Sequence, residues 1–227
     1  RYIDVFNRGT GPFDFSVNTN DPWIKPGCKT GTVEKQERIW VAVDWNKAPE
    51  GKSKGSIQIV RAGHETVKID VPVFNPVDIT PDNVEGFVEG EGFVSIEAEH
   101  FTANISVDNA RWEKIQGYGR TLSAMTVMPV TAESVMPPEE SPCLEYRMYL
   151  FNPGRVFVLA YFATTLNFNP DRGLRYAVSF DDEAPQIIDI VPAGFDARNG
   201  NREWEDSVRN SIRIRRSGHE LSGEGYH

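Results

Sequence analysis

Short stretches in which apolar and polar residues alternate recur along this chain, and this period of two restricts the possible folds more than any other feature. Residues 13–18 and residues 39–45 are examples from the N-terminal half. Successive side chains of a strand point to opposite faces, so each such stretch predicts a strand with one buried face. Only residues 201–212 carry apolar side chains at helical spacing, which predicts one short helix. The chain is therefore predicted to be all-β.

The predicted strands form two blocks. Short strands within residues 1–75 favour a small immunoglobulin-like sandwich. Residues 76–91 contain five acidic residues, no Lys or Arg and two prolines, which is typical of an interdomain linker. Residues 92–227 return to strands and predict a jelly-roll-like sandwich. Within it, the turn at residues 152–154 predicts that the strands on either side pair as a hairpin.

Net charge and hydropathy exclude several kinds of partner. With 24 Lys and Arg against 33 Asp and Glu, the net charge of −9 argues against nucleic acid or an anionic membrane surface. No window approaches about 18 consecutive apolar residues, so no segment is predicted to cross a bilayer. The chain opens at Arg1 without a signal segment, which suggests a piece of a longer polypeptide. Cys28 and Cys143 lie in different blocks and are predicted to be free, buried thiols.

The residue patterns of known catalytic centres are absent from the sequence. The four histidines stand at 64, 100, 219 and 227, and no zinc-protease helix motif, phosphate-binding loop or nucleophile elbow occurs. The adjacent acids Glu139-Glu140 and Asp181-Asp182 would point to opposite faces of a strand, so neither pair is expected to flank a glycosidic bond. We therefore expect that this chain is not itself an enzyme.

Two carboxylates stand out in the alternating stretch 92–101, which predicts a strand. Glu97 and Glu99 are two residues apart, so a strand would point both to one side of the sheet. Like charges held this close are tolerated if water solvates them, or if a cation lies between them. Hard oxygen ligands favour Ca²⁺. Both interpretations remain open from the residues alone.

Several stretches together resemble the C-terminal region of glycoside hydrolase family 115. These stretches are residues 2–9, 13–15, 23–24, 95–101, 112, 117–120 and 174–181. The family contains xylan α-1,2-glucuronidases, which remove glucuronic acid groups from xylan. The resemblance implies a non-catalytic accessory module of a secreted or periplasmic enzyme. Its partners would be the catalytic domains of the same parent chain and a xylan-type polysaccharide.

The same resemblance allows a second role and sets an expectation about the C-terminal end. A structural module would buttress the catalytic domains or form a homodimer without touching sugar. The family domain usually continues past residue 227 through one or two strands, so we expect a sheet edge that those strands would cover.

The stretch around Glu97 and Glu99 is also similar to the first strand of family 6 and family 35 carbohydrate-binding modules. In those modules, carboxylates of this strand and an acid from the last strand hold a structural calcium ion. The similarity implies that Glu97 and Glu99 are candidate calcium ligands. It also implies a weak site, because the last strand has no counterpart here and calcium needs 6–8 oxygen ligands.

Candidate sugar-binding residues combine aromatic rings with guanidinium groups. Flat rings pack on the C–H faces of sugars, and Arg pairs bidentately with a carboxylate such as that of glucuronic acid. The alternative for the tryptophans is packing in the core or anchoring a loop, and for the arginines it is surface ion pairing. The candidates are Arg111, Trp112, Tyr118, Arg120 and Trp23.

Overall fold

The computed structural model describes residues 1–64, 66–80, 82–137 and 140–227. Contacts divide the chain into two compact units, Arg1–Asn83 and Val84–His227. This division falls inside the segment 76–91, of which Pro81 lies outside the described residues. Both units consist of strands, and the described residues contain one α-helix, so the predicted all-β class is confirmed.

The described residues of the first unit form seven strands in two antiparallel sheets. The strands are β1 (Tyr2–Phe6), β2 (Phe13–Asn18), β3 (Ile24–Pro26), β4 (Thr30–Val33), β5 (Gln36–Val43), β6 (Gly51–Val60) and β7 (Val67–Asn75). One sheet has the order β1-β5-β3 and the other has the order β4-β2-β6-β7. The alternation noted in the sequence places one apolar row of each sheet on the side that faces the other sheet.

Those apolar rows form the core of the first unit. Phe15 and Ile57 come from the four-stranded sheet, and Ile39 comes from the three-stranded sheet. Trp23 closes the same cluster and is 4% exposed. Gly55 lies directly beneath its indole, where an added Cβ would come within 2.6 Å of the ring. Burial of these side chains stabilises the unit by roughly 1.5–3 kcal/mol each.

The second unit contains the remaining strands and the helix. They are β8 (Phe87–Val88), β9 (Ala103–Ile105), β10 (Arg111–Gln116), β11 (Ser123–Met128), β12 (Cys143–Glu145), β13 (Met148–Leu150), β14 (Gly154–Phe162), β15 (Leu174–Val178), β16 (Gln186–Val191), α1 (Arg202–Asn210), β17 (Arg213–Leu221) and β18 (Gly225–Tyr226). The pairs are β10 with β11, β9 with β12, β14 with β17, and β15 with β16, while β13 lies between β18 and β8.

The predicted hairpin across residues 152–154 is wrong. Strand β14 pairs along its whole length with β17, whereas β13 pairs with β8 and β18. The chain therefore passes from one strand group to another at the Asn152-Pro153-Gly154 turn. The buried carboxylate of Glu89 holds this passage by accepting hydrogen bonds from the backbone N–H groups of Phe151 (2.7 Å) and Asn152 (3.0 Å). A side chain from a distant segment thus decides the direction of the chain here.

The predicted short helix is confirmed as α1. Its N-cap is Asn201, whose side-chain oxygen accepts a hydrogen bond from the backbone N–H of Trp204. Ser211 ends the helix in the left-handed conformation, with φ of 54°. Within the part of the chain that is described, no helix combines the length and apolar character needed to cross a bilayer.

Strand β17 turns an unusually polar row toward the interior. Arg213, Ser217 and His219 are all buried on one face of the strand. The opposite face of the β14–β17 pair carries large exposed apolar side chains, among them Phe157 and Leu159. On the interior face, the polar row of β17 lies beside an apolar row of β14, which consists of Val156, Val158, Ala160 and Phe162. The outer face is therefore more apolar than is usual for a sheet surface that faces water.

Candidate functional site

The stretch 92–101 is not the strand that its alternation predicted. Among these residues only Phe93 forms a β-bridge, and its partner is the neighbouring Gly90. The backbone N–H of His100 donates to the carbonyl of Glu97 at 2.9 Å, which closes a turn. The hydroxyl of Tyr146 donates to the Ala98 carbonyl at 2.8 Å and holds that turn in place. Glu97 and Glu99 therefore do not share a sheet face by strand alternation.

The two carboxylates instead hold the β10–β11 hairpin. The Thr121 hydroxyl, in the loop between these strands, donates to Glu97 Oε2 at 2.6 Å. A hydrogen bond from Ser123 on β11, together with the positive charge of Lys114 on β10, lowers the pKa of Glu99 below its usual value. Each carboxylate thus contacts a different part of the same hairpin.

This environment does not fit a calcium ion. Across the described residues, no group of three or more His, Cys, Asp or Glu side chains is placed to hold a metal. Glu99 Oε2 is buried without a hydrogen bond, but the Lys114 ammonium lies 3.7 Å from it and would repel a cation. Two carboxylates with separate partners fall well short of the 6–8 oxygens that calcium prefers. We therefore assign Glu97 and Glu99 to the support of the hairpin.

The candidate sugar-binding residues of the hairpin lie at its two ends. Tyr118 and Arg120 are in the loop between β10 and β11, which we call the hairpin tip (residues 117–122). Arg111 begins β10 at the other end and forms an ion pair with Glu113. Arg111 and Gln116 are five positions apart along the extended strand, a distance of about 17 Å. The structure thus brings Tyr118 and Arg120 together and leaves Arg111 apart.

The two candidate tryptophans have less open surface than sugar stacking requires. Trp112 is half-buried on β10, and its indole N–H donates to the Pro142 carbonyl at 3.0 Å. Trp23 is in the core of the first unit, so neither face of its ring is open to a ligand. The expectation that Trp23 contacts sugar is therefore corrected: Trp23 anchors a loop, as its alternative interpretation proposed.

The hairpin tip presents an exposed ring and a cation without a counter-charge. Tyr118 is 49% exposed. Among the described residues, none hydrogen-bonds or ion-pairs with the Arg120 guanidinium. Gly117 and Gly119 on either side of Tyr118 have φ of +67° and +108°, so the loop uses backbone conformations that other residues rarely adopt. The bond from Thr121 to Glu97 fixes the base of this loop.

Two hollows in the described residues are candidate sites. An open depression of about 490 Å³ is lined only by the loop residues Asp196, Arg198, Asn199, Gly200 and Asn201. It has no aromatic lining and lies before the first turn of α1. A second hollow, beside Ser56 in the first unit, has a volume of about 20 Å³ and cannot hold a sugar.

Sequence reasoning missed a histidine network in the second unit. His219 on β17 contacts the Glu183 carboxylate through Nδ1 and the Ser217 hydroxyl through Nε2, the latter at 2.7 Å. In one tautomer, Nδ1–H donates to Glu183 and the hydroxyl of Ser217 donates to Nε2. The side-chain nitrogen of Gln186 also lies 3.1 Å from Nδ1 and donates to the Gly218 carbonyl at 2.8 Å. The carboxylate, imidazole and hydroxyl are connected in the same order as in the catalytic triad of a hydrolase, but Ser217 and His219 are both buried. A nucleophile needs an open site for its substrate, so we interpret this network as structural.

A buried arginine lies on the same face of β17. Arg213 has an exposed fraction of 3%, and none of its guanidinium nitrogens makes a hydrogen bond within the described residues. Its charge is balanced by Glu203 of α1, whose Oε1 lies 3.3 Å from Nε and also accepts a hydrogen bond from Arg215. Burial lowers the pKa of Arg213. The alternation rule could not find these residues because it assigns arginines to the solvent side.

Comparison with known proteins supplies the family. No curated protein sequence matches the chain. The model of the glycosyl hydrolase family 115 C-terminal domain matches residues 86–227, which is most of the second unit and more than half of the chain. That match agrees with the resemblance carried by residues 95–101, 117–120 and 174–181. The chain therefore belongs to glycosyl hydrolase family 115, through the C-terminal domain of that family.

Proposed function

We propose that this chain is a non-catalytic accessory module of a xylan α-1,2-glucuronidase that acts outside the cytoplasm, and that its hairpin tip helps to hold glucuronoxylan. The family match supports a module of a glycoside hydrolase. The polysaccharide, and the contact with it, are our proposal.

One observation carries the proposal of sugar contact. Tyr118 and Arg120 lie two residues apart on an exposed loop, and the guanidinium has no carboxylate partner in the described part of the chain. A phenol ring can pack on the C–H face of a pyranose, while a free guanidinium can pair with a uronic acid carboxylate. An acidic xylan offers both groups on one short segment. A neutral xylan offers only the first.

Retention on immobilised glucuronoxylan tests the proposal. We expect the wild-type chain to be retained, and Tyr118→Ala or Arg120→Gln to reduce retention at least about fivefold. Arg111→Gln is the matched control, since it also removes one arginine from the hairpin but at the far end. Retention that is unchanged by both tip variants, or lost equally with Arg111→Gln, would remove the hairpin tip as the contact.

A structural or dimerising module is the second candidate function. The exposed apolar face of the β14–β17 pair favours it, because large apolar patches on a soluble domain mark sites where another surface packs. The two candidates use different residues and are compatible. A module can dock through one face and contact polysaccharide through its hairpin tip.

A further inference from the structure

The outer face of the β14–β17 pair is defined by the side chains that point away from the interior of the second unit. The register of the pair places Phe157 opposite Gly218, Leu159 opposite Arg216, and Tyr161 opposite Ile214. Phe157, Leu159, Tyr161 and Ile214 are between 44% and 57% exposed. Four large apolar side chains on one strand pair form a continuous patch rather than isolated surface residues.

The residues on the interior face of the same strand pair show that β14 and β17 are paired in the correct register. The apolar side chains are therefore on the outer face in the correctly paired sheet. A shift by one residue would bury these apolar side chains, but it would also expose His219 and Ser217, which are bonded to each other in the interior. Glu183 and Glu203 hold the buried polar row from other elements. The network therefore fixes the register and fixes the apolar row outside.

Two arginines give this face a positive charge. The Arg216 guanidinium lies 3.6 Å from the centre of the Phe157 ring, and that of Arg155 lies 5.1 Å from it. Arg155 is paired with Glu220 at 3.8 Å. Arg216 has no carboxylate partner among the described residues. Aromatic side chains and arginines are the residues that dominate binding energy at protein interfaces.

Guanidinium groups over Phe157, together with aliphatic neighbours, favour a protein surface over a sugar. The Arg216 guanidinium lies over the ring of Phe157, and Gly218 is so close that an added Cβ would contact the ring at 3.3 Å. The ring is thus partly covered before any ligand arrives. Leu159 and Ile214 have no flat face on which a pyranose could stack, so Tyr161 is the one member of the four with an uncovered ring.

The area of the face indicates which kind of protein partner it can bind. Nine paired residues on two strands cover about 30 Å by 10 Å, or roughly 300 Å². A stable complex between separate molecules buries about 800 Å² on each partner. A second copy of a chain with net charge −9 would also be repelled electrostatically. A partner that is covalently connected needs less area, because the tether supplies an effective concentration in the millimolar range.

We propose that the outer face of the β14–β17 pair docks against the catalytic part of the parent glycoside hydrolase polypeptide, through an apolar surface with a carboxylate opposite Arg216. The proposal rests on the family membership and on this face. It does not depend on sugar binding at the hairpin tip, which uses other residues.

Thiol accessibility tests the docking. In a Cys143→Ser background, Leu159→Cys places a reporter on the face, and Val130→Cys places a control at a site that is 79% exposed and off the face. The protein with Cys28 alone provides the blank. Rates of modification by a thiol reagent are compared between the 227-residue chain and the full-length parent enzyme, without carbohydrate.

We expect Leu159→Cys to react at least tenfold more slowly in the parent enzyme than in the isolated chain, and Val130→Cys to change less than twofold. Adding Arg216→Glu should restore at least part of the lost reactivity, because it reverses the charge that faces the partner carboxylate. Equal rates for Leu159→Cys in both proteins would overturn the proposal, and so would parallel slowing of both cysteines. Protection that appears in the isolated chain and rises with its concentration would assign the face to a second copy and overturn it as well.

Discussion

Arg213 and Glu203 show how a single buried charge can affect the stability of the second unit. A buried guanidinium has lost its hydration, and Arg213 recovers no hydrogen bond within the described residues in return. Its favourable contacts are the attraction to Glu203, a side chain that is 45% exposed, and the ring of Phe195, whose centre lies 4.8 Å from the guanidinium carbon. Removing one member of the pair is therefore expected to cost more stability than the intact pair contributes to the fold.

We predict opposite effects for the two halves of this pair. Glu203→Gln should lower the free energy of unfolding by about 1–2 kcal/mol, since it leaves a buried cation without its counter-charge. Arg213→Met should stay within about 1 kcal/mol of wild type or increase stability, because it removes the desolvated charge and keeps the volume. Urea unfolding measures both.

Glu220→Gln is the control for these two variants, because it removes the exposed partner of Arg155. It should change the free energy of unfolding by less than about 0.5 kcal/mol. If Arg213→Met destabilised the chain more than Glu203→Gln, the contact of the guanidinium with the Phe195 ring would have to outweigh the cost of burying the charge, which would contradict this prediction.

At the scale of elements, the sequence predicted those that follow alternation or helical spacing. The strands around Phe15 and Ile39 and the helix around Trp204 followed these rules because their apolar residues face a core. Strand β17 was missed because its interior row is Arg, Arg, Ser and His rather than apolar. The stretch 92–101 was assigned wrongly, since Tyr146, a residue distant in sequence, holds a turn at Ala98.

The candidate site divided in the same way. Tyr118 and Arg120 stay predictions as sugar contacts, and the structure places both on the exposed loop between β10 and β11. Local chemistry was not enough for Trp23, whose burial depends on Gly55 in another strand. Nor could it show that Glu97 would bind Thr121, a partner 24 positions away.

Gly173, just before β15, lies so close to the backbone of Val191 that a substitution there tests how tightly the two segments are packed. Its φ is +71°, and an added Cβ would lie 2.1 Å from the carbonyl oxygen of Val191. We predict that Gly173→Ala lowers the free energy of unfolding by at least about 2 kcal/mol more than Gly194→Ala. Gly194 has φ of +69° and open space around it, so its substitution costs only the conformational strain of about 1–2 kcal/mol. Equal losses in urea unfolding would show that the contact with Val191 relaxes freely.

Tyr146 predicts how the turn at Ala98 responds to alkaline pH. Burial raises the pKa of Tyr146 from 10.0 to about 12. Above pH 10 the unfolded chain therefore loses this proton while the folded chain keeps it, so stability must fall as the pH rises from 10 to about 12. Tyr146→Phe should make that fall shallower, although it also removes the hydrogen bond to Ala98.

Urea unfolding at a series of pH values measures the slope for wild type and Tyr146→Phe. Tyr118→Phe is the matched control, because it removes one hydroxyl from an exposed ring. A slope that Tyr146→Phe leaves unchanged would contradict the assignment of a buried, protonated phenol at this position.

At the scale of the whole molecule, the two units differ in how they are built. The first unit has a continuous apolar core between two sheets. The second unit combines a polar interior row with an apolar outer face, and its buried apolar residues in the described part of the chain are few: Ala110, Leu150, Val191 and Leu221. Such a unit is suited to a larger assembly, in which one face docks and another, the hairpin tip, remains open to polysaccharide.

The most direct test of the account is the affinity of the 227-residue chain for a xylo-oligosaccharide that carries one glucuronic acid group, compared with the same backbone without it. Isothermal titration calorimetry supplies both dissociation constants. We predict at least about tenfold tighter binding of the acidic oligosaccharide, a difference of about 1.4 kcal/mol, and loss of that difference in Arg120→Gln. Equal affinity for the two oligosaccharides, or binding of neither, would contradict it.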